Sequence, residues 1–409
     1  LIKNIDIESA REMLLERAKL TKSEMVPVEQ SLHRVISSPI YSKINVPDFN
    51  RSPLDGYCLR SKDTSEIGEG GKWFEVVGKI GAGDVFRGEC PENTAVRIMT
   101  GAPIPKGCDC VIMQEQVETS EGKVRIPRPL LANENLVELG EDIKSGELVL
   151  KAGKKITPEA MGVIASLGLS QVEVYRKPRV GITSTGNELM EISEKLEYGK
   201  IYNSNYYTLY GLIQELGGEV INLGISDDSV EAISEKVVES IDSLDMLITT
   251  GGASVGDYDL IHKVYENLGA DFLFWRVKMK PGTPMLSSVY KDKLLIGLSG
   301  NPGAAMISFE EIVSPVVKKM SGQRCYERIR IKAELKDDFK KKSVQRRLLR
   351  AKFRIEGDRN AVYIGEKQNP GALKSMLDCN CFIDIEAGTA GLKSGDIVDI
   401  ILLKGDSFL

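Results

Sequence analysis

The spacing of hydrophobic and polar positions changes along the chain, and each change marks a different kind of element. In IESAREMLLERAKL the apolar or small residues Ile7, Ala10, Met13, Leu14 and Ala18 recur at helical spacing, which predicts an amphipathic helix with Asp6 placed to cap it. From about Val46 to Pro129 the pattern becomes short runs rich in β-branched residues, punctuated by glycine, as in WFEVVGKIGAGDVFRGE and CVIMQEQVETSEGKVRI. This predicts a β-rich unit. GEDIKSGELVLKAGKKI then reads as extended segments and turns, followed by a helix at TPEAMGVIASLG with Thr157 as N-cap and Pro158 in the first helical position.

Residues 178 to 322 alternate apolar strands with amphipathic helices: RVGITSTG, YYTLYGLIQELGG, EVINLGI, SVEAISEKVVESI, DMLITTGG, DLIHKVYENLG, KLLIGLSG and GAAMISFEEIVSPVVKKM. Such alternation predicts right-handed βαβ crossovers and a mostly parallel, doubly wound sheet. After Gly322 the chain turns basic (KKKSVQRRLLRAKFR) and then strand-like, ending in GLKSGDIVDIILL, which predicts a small all-β unit. The predicted fold class is therefore α/β and β multidomain. A linker unit takes 1–45 plus 136–177, a β-rich insertion 46–135, the α/β unit 178–322 and the C-terminal β unit 323–409.

Composition narrows the function classes. At 409 residues the chain exceeds one ordinary core. With 42% hydrophobic and 28% charged residues it reads as soluble and globular, and a net charge of -5 argues against nonspecific nucleic-acid binding through an overall basic surface. No apolar run approaches the roughly 20 residues that span a bilayer, so no membrane anchor is expected. Seven cysteines are scattered, with Cys-x-Cys at 108/110 and 379/381 but no Cys-x-x-Cys, and only two histidines accompany them. That spacing is poor for zinc. On strands it would put each pair of thiols on one face, a structural role. The odd cysteine count and the lack of an apolar leader point to the reducing cytoplasm.

In an open parallel sheet, ligands sit beyond the carboxyl ends of the strands. Here those ends carry STGNEL (184–189), SDDS (226–229), TTGGASVGDYD (249–259) and SGNPGAA (299–305), which are expected to converge on one crevice. Their glycines allow backbone to approach a bulky or phosphorylated ligand. Glu188, Asp227, Asp228, Asp257 and Asp259 on the same rim would repel a bare anion, so a bridging Mg²⁺ reconciles the two features. Singly, each loop reads as readily as a tight turn or an N-cap; together they indicate a shared site. In WRVKMKPGTPM the residues Arg276, Lys278 and Lys280 alternate, and on a regular strand they would share one face, where cations could hold an oxyanion. Far away in sequence, Asp55 in RSPLDGYCLR and Thr100 in RIMTGAPIPKGCDCVIMQEQ each sit beside a glycine, which by itself suggests a turn.

Together SPLDGY, RIMTGAPIPKGCDCVIMQEQ, GEDIKSGE, GITSTGNEL, IYNSN, TTGGASVGDYD, KMKPGTP and GNPGAA resemble the molybdopterin molybdenumtransferase family, the MoeA proteins and the E domain of gephyrin. The likeness covers nearly the whole chain. It implies an elongated homodimer of four-domain subunits, a molybdopterin-binding α/β domain at 178–322 and a C-terminal β-barrel. It implies insertion of molybdenum from molybdate into molybdopterin adenylate with release of AMP, aided by Mg²⁺, with molybdopterin adenylyltransferase as the upstream partner. The positions that match the family's catalytic residues are Asp55, Thr100, Glu188, Asp227, Asp259 and Lys280, the first two reaching the cleft from the partner subunit. Ligand-binding positions fall on Ser184, Thr185, Gly186, Asn205, Gly251, Gly252, Ser254, Gly256, Arg276, Pro281, Gly300, Asn301 and Pro302, and metal-binding positions on Asp228, Asp257 and Asp259. A molybdopterin-binding scaffold, or a paralogue of altered metal or substrate preference, is the alternative reading.

Overall fold

The computed structural model describes residues 1–252 and 260–403. The first helix spans Ile7–Arg17, and Asp6 caps it by accepting a hydrogen bond from the Ser9 amide at 2.8 Å. Ile7, Ala10 and Leu14 are buried, the stripe that the spacing predicts. The helix Pro158–Ser166 likewise begins after Thr157, whose side chain accepts from the Ala160 amide.

The central element is a seven-stranded sheet. Its strands lie in the order Ile2–Ile5, Asp271–Val277, Met285–Tyr290, Lys293–Leu298, Met246–Thr250, Arg179–Thr185, Glu219–Ser226. Met285–Tyr290 runs antiparallel to both neighbours, and the other pairings are parallel. Two antiparallel steps restore direction. The strands ending at Thr185, Thr250, Val277 and Leu298 therefore all end at the same edge of the sheet, the edge at which ligands are expected. Helices cover both faces, with one core gathering Val180, Ile182, Met246 and Ile307 and the other Val237, Leu247, Ile261 and Leu295. Close packing over a glycine is built into this sheet: a Cβ on Gly181 would lie 2.4 Å from the Leu244 side chain.

The insertion forms a six-stranded sheet from Gly56–Leu59, Lys72–Ile80, Thr94–Ile98, Cys110–Met113, Glu118–Ser120 and Lys123–Ile126. After Gly322, the strands Arg330–Leu335, Arg346–Glu356, Arg359–Ile364, Cys381–Ile385 and Ile397–Leu402 close into a five-stranded barrel, because Arg346–Glu356 pairs with both Arg359–Ile364 and Cys381–Ile385. The short strand Met279–Lys280 adds to it through Arg346 and Arg347, which ties the sheet edge to the barrel.

Three sequence expectations need correction. Neither Cys-x-Cys pair lies along a strand: Cys110 and Cys381 each open one, and Cys108 and Cys379 precede them. Burial of Cys110, Cys379 and Cys381 still makes those thiols structural, and it pushes the Cys379 pKa up to about 11. The segment GAAMISFEEIVSPVVKKM is not one regular helix; Pro302–Ser308 and Ser314–Met320 flank a π-helical turn at Phe309–Val313. Finally, Arg276 has φ +67°, which breaks the strand's alternation. Lys278 and Lys280 are exposed while Val277 and Met279 are buried, so Arg276 does not share the two lysines' face.

Candidate active site

The four loops do converge. Thr250 Oγ1 donates to Ser184 Oγ at 2.9 Å, and Ser184 Oγ donates to Asn203 Oδ1 at 3.0 Å. Asn203 caps the helix Ser204–Glu215 by accepting from the Tyr206 amide at 3.3 Å. This buried chain pins together the ends of two strands and the start of a helix. Asn205, two residues further, donates from Nδ2 to the Gly300 carbonyl at 2.8 Å, which links the GNPG loop to the same floor.

Glycine is required where these loops meet. Gly251 has φ +90°, and a Cβ there would lie 2.1 Å from the Thr185 carbonyl oxygen. Gly300 packs with its missing Cβ 3.4 Å from Gly251 Cα. The crevice floor is thus backbone, open to a ligand that side chains would exclude. Two side-chain atoms lining it are buried and have no hydrogen-bond partner among the described residues: Thr185 Oγ1 and Asn205 Oδ1. An unpaired polar group inside a protein costs about 1–3 kcal/mol, so such atoms mark a place where something else completes the bonding. Gly252 lies beside them, its missing Cβ 3.0 Å from Thr185 Oγ1.

The acidic rim surrounds this floor. Gly186 lies against the Glu188 carboxylate, 2.6 Å from where a Cβ would be, and both Glu188 and Asp228 are exposed. Asp228 accepts from the Asn187 amide at 3.3 Å, joining the STGNEL and SDDS loops. Beside exposed Asp227, the half-buried Lys236 donates to the Ile225 carbonyl at 3.1 Å; burial lowers its pKa, and Asp227 opposes that shift. Ser254, Gly256, Asp257 and Asp259 lie outside the described residues. Among the described residues no three histidine, cysteine or acidic side chains converge to hold a metal ion. The described part of the rim can share a hard cation with a ligand's oxygens.

Asn301 and Pro302 open the helix Pro302–Ser308, with the Asn301 amide bonded to Ser299 Oγ at 3.2 Å. Against that helix start, the buried Arg350 donates to the carbonyls of Lys367, Asn369 and Ala372, and the Gly303 amide donates to the Pro370 carbonyl. The barrel is therefore clamped to the crevice wall. Lys280 and Pro281, joined by a cis peptide, stand at the same junction, and Gly282 follows at φ +101° with no room for a Cβ beside Ser308 Oγ. A cavity of about 880 Å³ lies away from these loops, between Asp6–Glu8 and the barrel; ion pairs from Arg346 to Glu8 and Asp384 line it, as at a domain seam.

The two distant motifs also meet each other. Gly56 pairs with Ile98, which brings Asp55 beside Thr100, and Asp55 accepts from the Thr100 amide and hydroxyl, both at 2.8 Å. Those two donors hold the exposed Asp55 carboxyl below the usual range. Neither residue hydrogen-bonds to the crevice within the described chain. Sequence reasoning did not select Thr250, Asn203, Lys236 or Arg350. Thr250 carried a signal, the second of two threonines that end the apolar run MLI; Arg350 carried none, since it lies in a basic run that reads as solvated.

Residues 5–168 match the family model described as MoeA N-terminal region (domain I and II), 181–319 the probable molybdopterin binding domain, and 332–403 the MoeA C-terminal region (domain IV). A molybdopterin molybdenumtransferase of Bacillus subtilis is 38% identical over 98% of this chain and 95% of its own length. That of Staphylococcus epidermidis is 37% identical over 99% and 97%. A solved structure of a molybdopterin biosynthesis MoeA protein from Pyrococcus horikoshii superposes with a TM-score of 0.81 at 30% identity, covering 98% of this chain and 100% of that one.

Proposed function

The chain belongs to the MoeA family, and from that premise we propose that it is a molybdopterin molybdenumtransferase of molybdenum cofactor biosynthesis, inserting molybdenum from molybdate into molybdopterin adenylate with release of AMP. The observation that carries this reading is the backbone floor at Gly251 and Gly300 with the unpartnered Thr185 Oγ1 and Asn205 Oδ1 beside it. A pterin's amino and ring nitrogens, or a phosphate oxygen, would complete those bonds.

In this reading Thr185, Asn205, Ser184, Gly186, Gly251, Gly252, Ser254, Gly256, Gly300, Asn301 and Pro302 seat the substrate. Arg276 and Lys280 form the cationic rim, with Pro281 in the turn beside them; Arg276 binds the anionic part of the substrate, and Lys280 stabilises the charge that develops as the phosphoanhydride opens. Glu188, Asp227, Asp228, Asp257 and Asp259 would share Mg²⁺ with the phosphate oxygens, and Mg²⁺ when bound neutralises the leaving AMP. The exposed carboxylates of Glu188, Asp227 and Asp228 fit an ion that keeps several other oxygen ligands. Asp55 and Thr100, hydrogen-bonded to each other but not to the crevice of their own chain, would complete the site from the second subunit of a homodimer.

The proposed domain boundaries are 1–45 with 136–177, 46–135, 178–322 and 323–409. A cytoplasmic location and supply of the adenylate by molybdopterin adenylyltransferase belong to the same proposal. No described helix is long and apolar enough to cross a membrane. The deciding experiment measures AMP by chromatography after mixing the protein with molybdopterin adenylate and Mg²⁺, with and without molybdate. AMP that appears only with molybdate supports the transferase. Tight binding of the adenylate without AMP release would instead identify a scaffold.

A further inference from the structure

Arg276 adopts a backbone conformation that arginine seldom takes. In a regular strand, neighbours point to opposite faces, so Arg276 would face away from Trp275. Phe274 belongs to one core and Trp275 packs against the other; Val277 and Met279 return to the core of Phe274. That order is possible only because the φ of +67° at Arg276 interrupts the alternation. The interruption brings the guanidinium to 4.5 Å from the centre of the Trp275 ring. A non-glycine residue in this region is strained by about 1 kcal/mol or more and persists only where its surroundings enforce it.

The surroundings that enforce it are visible. His262 sits 5.5 Å from the Trp275 ring and stacks on Phe272 at 4.6 Å, and Lys3, the strand partner of Trp275, places its ammonium 5.4 Å from the same ring. The indole is therefore fixed from several sides. Its place in the sheet is informative too. Trp275 aligns with Leu286, Leu286 with Gly297, Gly297 with Thr249 and Thr249 with Thr183. Arg276, one residue further, stands level with Thr250 and Ser184 at the crevice edge, three and four strand spacings away across the sheet, about 14 and 19 Å.

We propose that Trp275 is a positioning residue: its ring holds the Arg276 guanidinium at the crevice rim, aimed at the anionic part of a ligand long enough to span from the glycine floor to that edge. This rests on the reading of the crevice as the molybdopterin adenylate site. The stack makes arginine, with its flat face, the cation suited to the position.

The test uses the full-length chain and the variants Trp275→Leu, Trp275→Phe, Arg276→Met and the double Trp275→Leu/Arg276→Met, with steady-state kinetics and direct titration of molybdopterin adenylate. Trp275→Leu should raise KM and the dissociation constant roughly threefold to tenfold, the size of a lost cation–π contact, with kcat within about twofold. Trp275→Phe should recover most of the affinity, because a phenyl face also accepts the cation. The double variant should bind no worse than Arg276→Met alone. Additive losses in the double variant, or equal losses for Phe and Leu at 275, would overturn the proposal. Trp275→Phe and Arg276→Met decide the matter even where Trp275→Leu folds poorly. Absence of AMP release from the unchanged chain would overturn the transferase reading instead, and the four dissociation constants would still decide the stack.

Discussion

Two residues show how little freedom the crevice leaves. Gly251 combines a left-handed φ with a Thr185 carbonyl that would lie 2.1 Å from any Cβ. Gly251→Ala should destabilise the protein by about 1–3 kcal/mol and distort the floor, read as a lower urea midpoint and weaker binding of molybdopterin adenylate. Asp55 is tuned by two donors on one residue, the amide and hydroxyl of Thr100. Thr100→Val removes the hydroxyl and keeps the amide, so the Asp55 pKa should rise toward the ordinary aspartate value. An aspartate whose pKa is held low stays ionised further into acid, so the loss shows on the acid side. If Asp55 works as a carboxylate, the acid limb of the pH–rate profile moves to higher pH in Thr100→Val, and an unmoved limb would exclude that role.

At the scale of elements, the π-helical turn Phe309–Val313 has a structural consequence. It lies in a fully buried stretch and turns both Glu310 and Glu311 into the protein, against Arg328 and Arg330 at the entrance to the barrel. A buried carboxylate without its cation is far more costly than the pair is favourable. Removing the cation with Arg328→Met should cost about 3 kcal/mol at neutral pH, measured by chemical unfolding. Burial already pushes the Glu310 pKa up, with Arg328 opposing, and without Arg328 the rise is larger. A glutamate whose folded pKa is raised favours the folded state while protonated. The charge part of the penalty in Arg328→Met is therefore absent in acid, where Glu310 is protonated in both proteins, and grows as pH rises through the wild-type Glu310 pKa, which itself lies above the ordinary 4.5. A penalty independent of pH would mean that lost packing, not the stranded charge, causes it.

For the whole molecule, the central question is how two halves of a site on different units meet. The barrel is bound to the crevice wall through Arg350 and through the Met279–Lys280 strand, whereas Asp55 and Thr100 sit together on the insertion and make no hydrogen bond to the crevice of their own chain. In a homodimer with shared clefts, mixing Asp55→Ala chains with Asp259→Ala chains should restore about half of the activity per heterodimer, since one of its two clefts keeps both carboxylates. Analytical ultracentrifugation of the mixture establishes that heterodimers exist. A fully active monomer, or no recovery in proven heterodimers, would place the complete site within one chain.

The sequence by itself determined the periods, the caps and the unusual strand ends. Asp6 and Thr157 cap because a side-chain oxygen beside a helix start meets free amides, a local fact. The alternation over 178–322 was legible because each strand and helix buries one face of its own. The family motifs likewise stand as short contiguous runs. Tertiary structure decided the rest. The Asn203–Ser184–Thr250 chain and the carbonyl cage of Arg350 join residues far apart in sequence, and no local pattern shows which polar groups burial will force together. The same holds for Arg276, which on spacing alone shares a face with Lys278 and Lys280. Its left-handed φ comes from the packing of Trp275 on one side of the sheet and Val277 on the other, a balance that only the folded chain can strike.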